Sequence, residues 1–227
     1  MKPAVEWTPT LLPIVGGGQF PVRQVWCVGR NYADHAREMG SDPEREAPVF
    51  FSKPAQCLVS DREIVYPRTR DLHHEAELVV FLAGGGRNLT PAEAAGAIYG
   101  YAVGVDLTRR DVQAQAKQAG GPWEMAKGFD QSGPTGPIVP TADWQPDSGT
   151  TIALWVNDQL RQQAVLDDMI WPVDELLARL SRDVSLSAGD AVFTGTPAGV
   201  GPLLPGDRVR VVIDRLPELT FSVTPGR

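Results

Sequence analysis

HHEAELVVFL, residues 73–82, alternates polar and apolar at its start, then runs continuously apolar until Gly84-Gly85-Gly86 stops it. Alternation passing into an unbroken apolar run is the pattern of a β-strand that enters a core and is buried on both faces. The two acidic residues in it, Glu75 and Glu77, are two apart, so their side chains leave the same face of an extended chain. A strand of this kind needs partners, and the sequence on either side supplies them.

Upstream, VWCVG (25–29) and PVFF (48–51) read as strands around a short helical piece, YADHAREM, closed by Gly40. Downstream, Thr90-Pro91-Ala92-Glu93 places Thr at the N-cap, Pro at the first helical position and Glu three residues after the cap, the arrangement of a capping box. YGYAVGVD (99–106) then returns as a strand, and Thr108 with Asp111 is expected to cap a helix running to about Ala119. TIALWV and QLRQQAV flank Asn157-Asp158 as a hairpin, and Pro172 opens a helix with Val173, Leu176, Leu177 and Leu180 on one face. The tail alternates short strands with Gly and Pro turns. The expected fold is mainly β with a few helices, of the α+β class, in which residues 1–21 form an irregular arm and 22–227 a single catalytic domain.

Composition narrows the function. The chain has 227 residues, a formal net charge of -7 and 22% charged residues, which leaves no basic footprint for nucleic acid or anionic lipid. Two cysteines are too few for a disulfide scaffold, and prolines and a Glu interrupt the N-terminal apolar residues. The expectation is a cytoplasmic protein without nucleic-acid or membrane partners.

Two carboxylates on one face of an apolar strand repel each other unless a proton or a cation neutralises them. All-oxygen ligation favours a hard ion such as Mg, Mn or Ca. Asp106, ending a strand just before a helix, is the natural third ligand. A solvent-facing edge strand would carry the same pair of Glu, although Val79 and Phe81 continue their face and argue against full exposure.

Other residues could complete a site around that ion. His35 and Glu38 are three apart in the short helical piece, spaced either as a carboxylate-oriented general base or as a surface pair. Arg30 and Tyr32 follow a buried strand, where polar groups tend to line pockets. Arg110 and Gln113 share a helix face near Asp106, and Lys127 is positioned to stabilise an enolate, against the alternative of ordinary surface charge, which is the reading for Arg109. Thr196 lies in TGTPAGVG (194–201), which could hold an anion or be a wide turn. His73 and His74 lack further His nearby for a zinc set.

VGRNYADHAREM, FSKP, HHEAELVV, YGYAVGVDLTRRDVQ, WEMAKGFD and FTGTPAGVG, in this order over roughly residues 22 to 224, resemble the fumarylacetoacetate hydrolase family. The resemblance implies a mixed β-sandwich roll in a homodimer, with Mg or Mn at Glu75, Glu77 and Asp106. It also implies a water-activating pair at His35 and Glu38, substrate or enolate contacts from Arg110, Gln113 and Lys127, and an oxo-acid carboxylate held by the loop of Thr196. The compact chain is similar to acylpyruvate hydrolases, and among them to the bacterial fumarylpyruvate hydrolases of aromatic catabolism. Oxaloacetate decarboxylases, tautomerases and isomerases of the same family share that metal site, so the reaction expected is carbon-carbon hydrolysis with these as the alternative.

Overall fold

The computed structural model describes residues 6–38 and 47–226, with the side chains of Ala36 and Glu38 outside that set. Among the described residues, strands predominate and five short α-helices join them. The stretch 73–82 becomes two strands, Leu72–His74 and Ala76–Leu82, with Glu75 at the joint. The first pairs with Thr108–Arg109 and Gly201–Leu203 in a small sheet, and the second enters a sheet of six. Glu75 and Glu77 therefore straddle a seam between two sheets.

The six-stranded sheet runs, from edge to edge, Val139–Pro140, Ile98–Val105, Ala76–Leu82, Asp190–Phe193, Gln24–Gly29 and Val49–Lys53. Its pairs are antiparallel except Asp190–Phe193 with Gln24–Gly29. A second sheet orders Gln159–Val165, Thr151–Val156, Arg208–Ile213, Leu219–Thr224 and Glu63–Val65, with only the last pair parallel. Both sheets are mixed and neither closes on itself, as expected for a sandwich roll.

Leu78, Val80 and Leu82 share a core with Leu154, Val211 and Phe221 of the second sheet and with Leu176, Leu177 and Leu180 of the Val173–Asp183 helix. Val79 and Phe81 point the other way, into a cluster with Leu12, Phe20 and Val22. Both faces are thus covered, which is why the strand reads as unbroken apolar sequence. Each such side chain contributes roughly 1.5–3 kcal/mol by leaving water.

Two local expectations need correction. The segment expected to be irregular contains an antiparallel hairpin, Thr10–Pro13 with Gln19–Val22, turned by Gly16-Gly17-Gly18 at positive φ. Its prolines, Pro13 and Pro21, hid the alternation, but a two-stranded ribbon leaves outward edges where a missing N–H costs little. Thr108 does not cap the following helix, because it pairs with His73 in the small sheet and its hydroxyl donates to the Asp106 carbonyl. That helix, Arg110–Ala119, starts without a side-chain cap, and Asp111 accepts from Thr69 and from the Arg70 N–H.

The Thr90–Glu93 capping box forms in both directions, and Asn157 and Asp158 both take positive φ at the hairpin turn. Cys27 and Cys57 are buried free thiols. Among the described residues no helix is long and apolar enough to cross a membrane.

Candidate metal centre and active-site cleft

The Ile98–Val105 strand pairs antiparallel with Ala76–Leu82, setting Val105 opposite Ala76, and the Asp106 N–H donates to the Glu75 carbonyl at 2.8 Å. This register brings Asp106 beside the two glutamates. One carboxylate oxygen from each of Glu75, Glu77 and Asp106 lies within 4.8 Å of the others, and all three residues are buried. Three negative charges at that spacing out of water require compensation.

Part of it comes from the chain. Lys127 Nζ donates to Glu75 Oε2 and to Asp106 Oδ2, each at 2.7 Å, and Arg110 donates to Glu75 Oε1 at 2.5 Å. Lys53 Nζ stands 2.8 Å from Asp106 Oδ1, but its N–H groups are taken by the carbonyls of Lys127 and Ser132 and by the Ser132 hydroxyl. Asp106 Oδ1 consequently receives no aligned hydrogen bond. Glu77 meets a single donor among the described residues, the Gly195 N–H at 2.6 Å from Oε2.

The titration of these groups divides accordingly. Burial alone would raise the Glu75 carboxyl, but Lys127, Arg110 and His35 outweigh it and hold it well below the usual carboxylate range. Burial pushes Glu77 the other way, well above that range, and Asp106 and Glu75 add to the effect. Lys127 is held above the usual ammonium range because Asp106 and Glu75 outweigh its burial. A buried acceptor oxygen without an aligned donor, next to a carboxylate whose burial and acidic neighbours outweigh Lys127 and the Gly195 N–H, fits a hard divalent cation held by three oxygens.

At the triad lies a narrow cleft lined by Glu75, Glu77, Arg30, His35, Arg110, Gln113, Lys127 and Thr196. Arg30 turns the chain at the end of the Gln24–Gly29 strand with φ 64°. His35 is buried on the Ala33–Glu38 helix, and Arg110 donates to Gln113 Oε1 at 2.7 Å. Phe51 and Trp123, stacked edge to face at 5.7 Å, form an apolar wall.

One expected site residue, Tyr32, is not brought to this cleft, and the side chain of a second, Glu38, lies outside the described residues. Tyr32 turns into the main core and lines a separate cavity with Asp34 and Asp168, and burial, then Glu77 and Asp168, pushes its phenol up. It follows the strand, but the strand ends at Gly29 and the positive φ of Arg30 turns the chain, so Arg30 lines the cleft and Tyr32 does not. Glu38 ends the helix that carries His35, and its side chain lies outside the described residues. Arg109 stays away from the site, its guanidinium 4.4 Å over the Phe129 ring.

The 194–201 loop is pinned rather than a wide turn. The Thr194 N–H and hydroxyl both donate to the Leu78 carbonyl, and Asn31 Nδ2 donates to the Thr194 carbonyl at 2.8 Å. Gly195 has φ 97° and passes so near Asn31 that an added Cβ would lie 2.7 Å from its Cβ.

Sequence reasoning missed three residues. Lys53 lies under Asp106, Lys117 lines the cleft, and Gln162 is buried behind the loop. Lys53 stands at the end of an apolar strand, a weak signal. In QLRQQAV, Gln162 lies directly opposite Leu154 of the neighbouring strand, and that inward phase was the available clue.

Comparison with known proteins agrees with this geometry. Residues 24–224 match the family described as Fumarylacetoacetate (FAA) hydrolase C-terminal. The chain is 46% identical over 198 residues to oxaloacetate tautomerase YcgM of Escherichia coli (strain K12), covering 86% of this chain and 90% of that protein. It is 39% identical over 203 residues to the mitochondrial oxaloacetate tautomerase of Homo sapiens, covering 88% and 91%. Among solved structures it is similar to the fumarylpyruvate hydrolase from Pseudomonas aeruginosa in complex with Mn2+ and pyruvate, with TM-score 0.94, 45% identity and coverage of 97% and 98%. With a matched stretch spanning nearly its whole length and a buried three-carboxylate site at its centre, the chain belongs to the fumarylacetoacetate hydrolase family.

Proposed function

We propose that this protein is a metal-dependent hydrolase that cleaves the carbon-carbon bond of an acylpyruvate, with fumarylpyruvate, giving fumarate and pyruvate, as its best-supported substrate. The observation that carries the reading is the charge of the cleft. Three carboxylates are matched by Arg30, Lys53, Arg110, Lys117 and Lys127 in and under it, so a divalent ion would leave a strong positive excess. A substrate with two carboxylates answers that excess, which favours fumarylpyruvate over acetylpyruvate and is met equally by oxaloacetate.

Glu75, Glu77 and Asp106 would hold Mg or Mn, with Ca as a further hard ion, and such an ion supplies Lewis-acid polarisation of the oxo-acid end. His35 takes a proton from the water that attacks the distal carbonyl. The bond between that carbonyl carbon and the methylene carbon then breaks. Its electron pair passes into the enolate of pyruvate, and the acyl part leaves as a carboxylic acid. Lys127 and Gln113 offer N–H donors to the enolate oxygen, and protonated His35 returns its proton to carbon.

The second reading is tautomerisation of oxaloacetate, favoured by the 46% identity to a protein of that name. It needs a proton moved at carbon but no attacking water. One panel of fumarylpyruvate, acetylpyruvate and oxaloacetate, under one metal and one pH, separates the two by loss of enol absorbance and product identity. The hydrolase reading requires fumarate and pyruvate as products, with kcat/KM on fumarylpyruvate at least ~tenfold above acetylpyruvate. Oxaloacetate turnover as the fastest reaction would replace it with the second reading. We also propose a homodimer, supported by exposed Trp7, Leu11 and Val15 at the N-terminal hairpin, and light scattering checks it.

A further inference from the structure

We infer that Gln162 is a positioning residue that turns the Thr196 hydroxyl into a donor facing the carboxylate of the oxo-acid, an inference that rests on the oxo-acid reading above. Gln162 is 1% exposed, in the middle of the Gln159–Val165 strand. Its side-chain oxygen lies 3.0 Å from the Ala76 N–H, a group that can only donate, so that end of the amide must be the acceptor. The amide nitrogen then faces Thr196 Oγ1 at 2.8 Å and the Pro197 carbonyl at 2.9 Å. Pro197 can only accept, which fixes the same orientation independently.

With His74 Nδ1 also 3.0 Å from Oε1, both lone pairs and both N–H groups of Gln162 are used. An amide so saturated has one orientation. Thr196 Oγ1 therefore accepts, and its own proton must point elsewhere. Among the described residues no group takes that proton, although Thr196 is 2% exposed and lines the cleft with Glu75 and Glu77. A buried hydroxyl with an unspent proton, aimed at a cationic cleft, is a ready donor for a carboxylate oxygen.

The other end of the same amide holds Ala76, the residue between Glu75 and Glu77. Gln162 thus ties the strand bearing two carboxylates to the loop that meets the substrate. The Gln159–Val165 strand belongs to the second sheet, whereas Ala76 and Glu77 belong to the six-stranded one, so the amide bridges the two.

Gln162→Glu tests the donor arm while sparing the other. It keeps an oxygen for Ala76 but sets a second oxygen against Thr196 and Pro197, so the Thr196 proton turns inward to the introduced carboxylate. Calorimetry with pyruvate as the probe, on Mn-loaded protein, should show affinity falling at least ~tenfold, the scale of a lost hydrogen bond to a charged group. Mn affinity should stay within about threefold of the parent, since the three metal-binding carboxylates are untouched. In a Thr196→Val background the Gln162→Glu effect should shrink to under about threefold, because both changes remove one donor. Thr196→Ser should bind pyruvate like the parent.

Should Gln162→Glu fail to fold, Gln162→Met decides, since it removes the amide without adding charge and should also weaken pyruvate binding by about threefold or more. Parent-like pyruvate affinity in the folded Gln162 variant, fully additive losses with Thr196→Val, or Mn affinity falling in parallel would each overturn the inference. Parent protein that binds Mn but no pyruvate would overturn the oxo-acid reading together with it.

Discussion

Lys127 Nζ lies 2.7 Å from Asp106 Oδ2 with both side chains buried, and the same ammonium holds Glu75 at the same distance. One internal cation thus bridges two of the three carboxylates of the proposed metal site. Breaking a buried pair from one side leaves uncompensated charge, which costs about 3–5 kcal/mol. Lys127→Met should therefore melt well below the parent in chelator, and added Mn should raise its melting temperature more than the parent's. Thermal melts with and without Mn check this, and identical melting in chelator would show that the bridge contributes nothing.

Glu75→Gln, Glu77→Gln and Asp106→Asn each remove one charged oxygen ligand from a hard-ion site. Each should lower Mn affinity by at least ~tenfold while the protein stays folded. Titration calorimetry with circular dichroism alongside measures both. Parent-like binding in all three variants would place the metal elsewhere.

Metal affinity should depend on pH in a definite direction. Burial, with Asp106 and Glu75 adding to it, raises the Glu77 carboxyl well above the usual range in the metal-free protein. A cation must displace that proton, so affinity rises with pH towards the raised pKa and falls by up to about tenfold per unit below it. For the metal-free fold the sign is the opposite. The folded state keeps a proton the unfolded chain has lost, so this group's contribution to stability declines as pH rises from the ordinary glutamate range. Calorimetry in buffers of different protonation enthalpy should detect about one proton released per ion bound. A pH-independent affinity with no proton release would contradict the shift.

His35→Ala should leave Mn binding unchanged and reduce hydrolysis by on the order of a hundredfold or more, the scale of a lost general base. Any side decarboxylation of oxaloacetate, which consumes no water in bond cleavage, should suffer less. Equal losses in both reactions would remove water activation from the role of His35.

The local pattern of the chain carried the strands, the capping box of Thr90 and Glu93, the Asn157-Asp158 hairpin and the shared face of Glu75 and Glu77. Each depends on neighbours within a few residues, through the period of two along a strand or the orphan N–H groups of a first helical turn. The place of Asp106 at a strand end marked it as a third ligand, and the resemblance added the reaction class. The hairpin of Thr10–Pro13 and Gln19–Val22 was not legible, because prolines interrupt a pattern that only its packing on Val79 and Phe81 reveals.

Tertiary pairing decided the rest. Lys53 and Lys127 converge on Asp106 from two separate elements, and Gln162 reaches Ala76 and Thr196 from the other sheet. Tyr32 was expected in the site and faces the core, whereas Gln162 sat in a strand read only as one arm of a hairpin and stands behind the loop of Thr196. Periodicity states which residues share a face, but the register between distant strands states what that face meets. A charged or amide side chain becomes part of a site only when that register encloses it with partners it must satisfy.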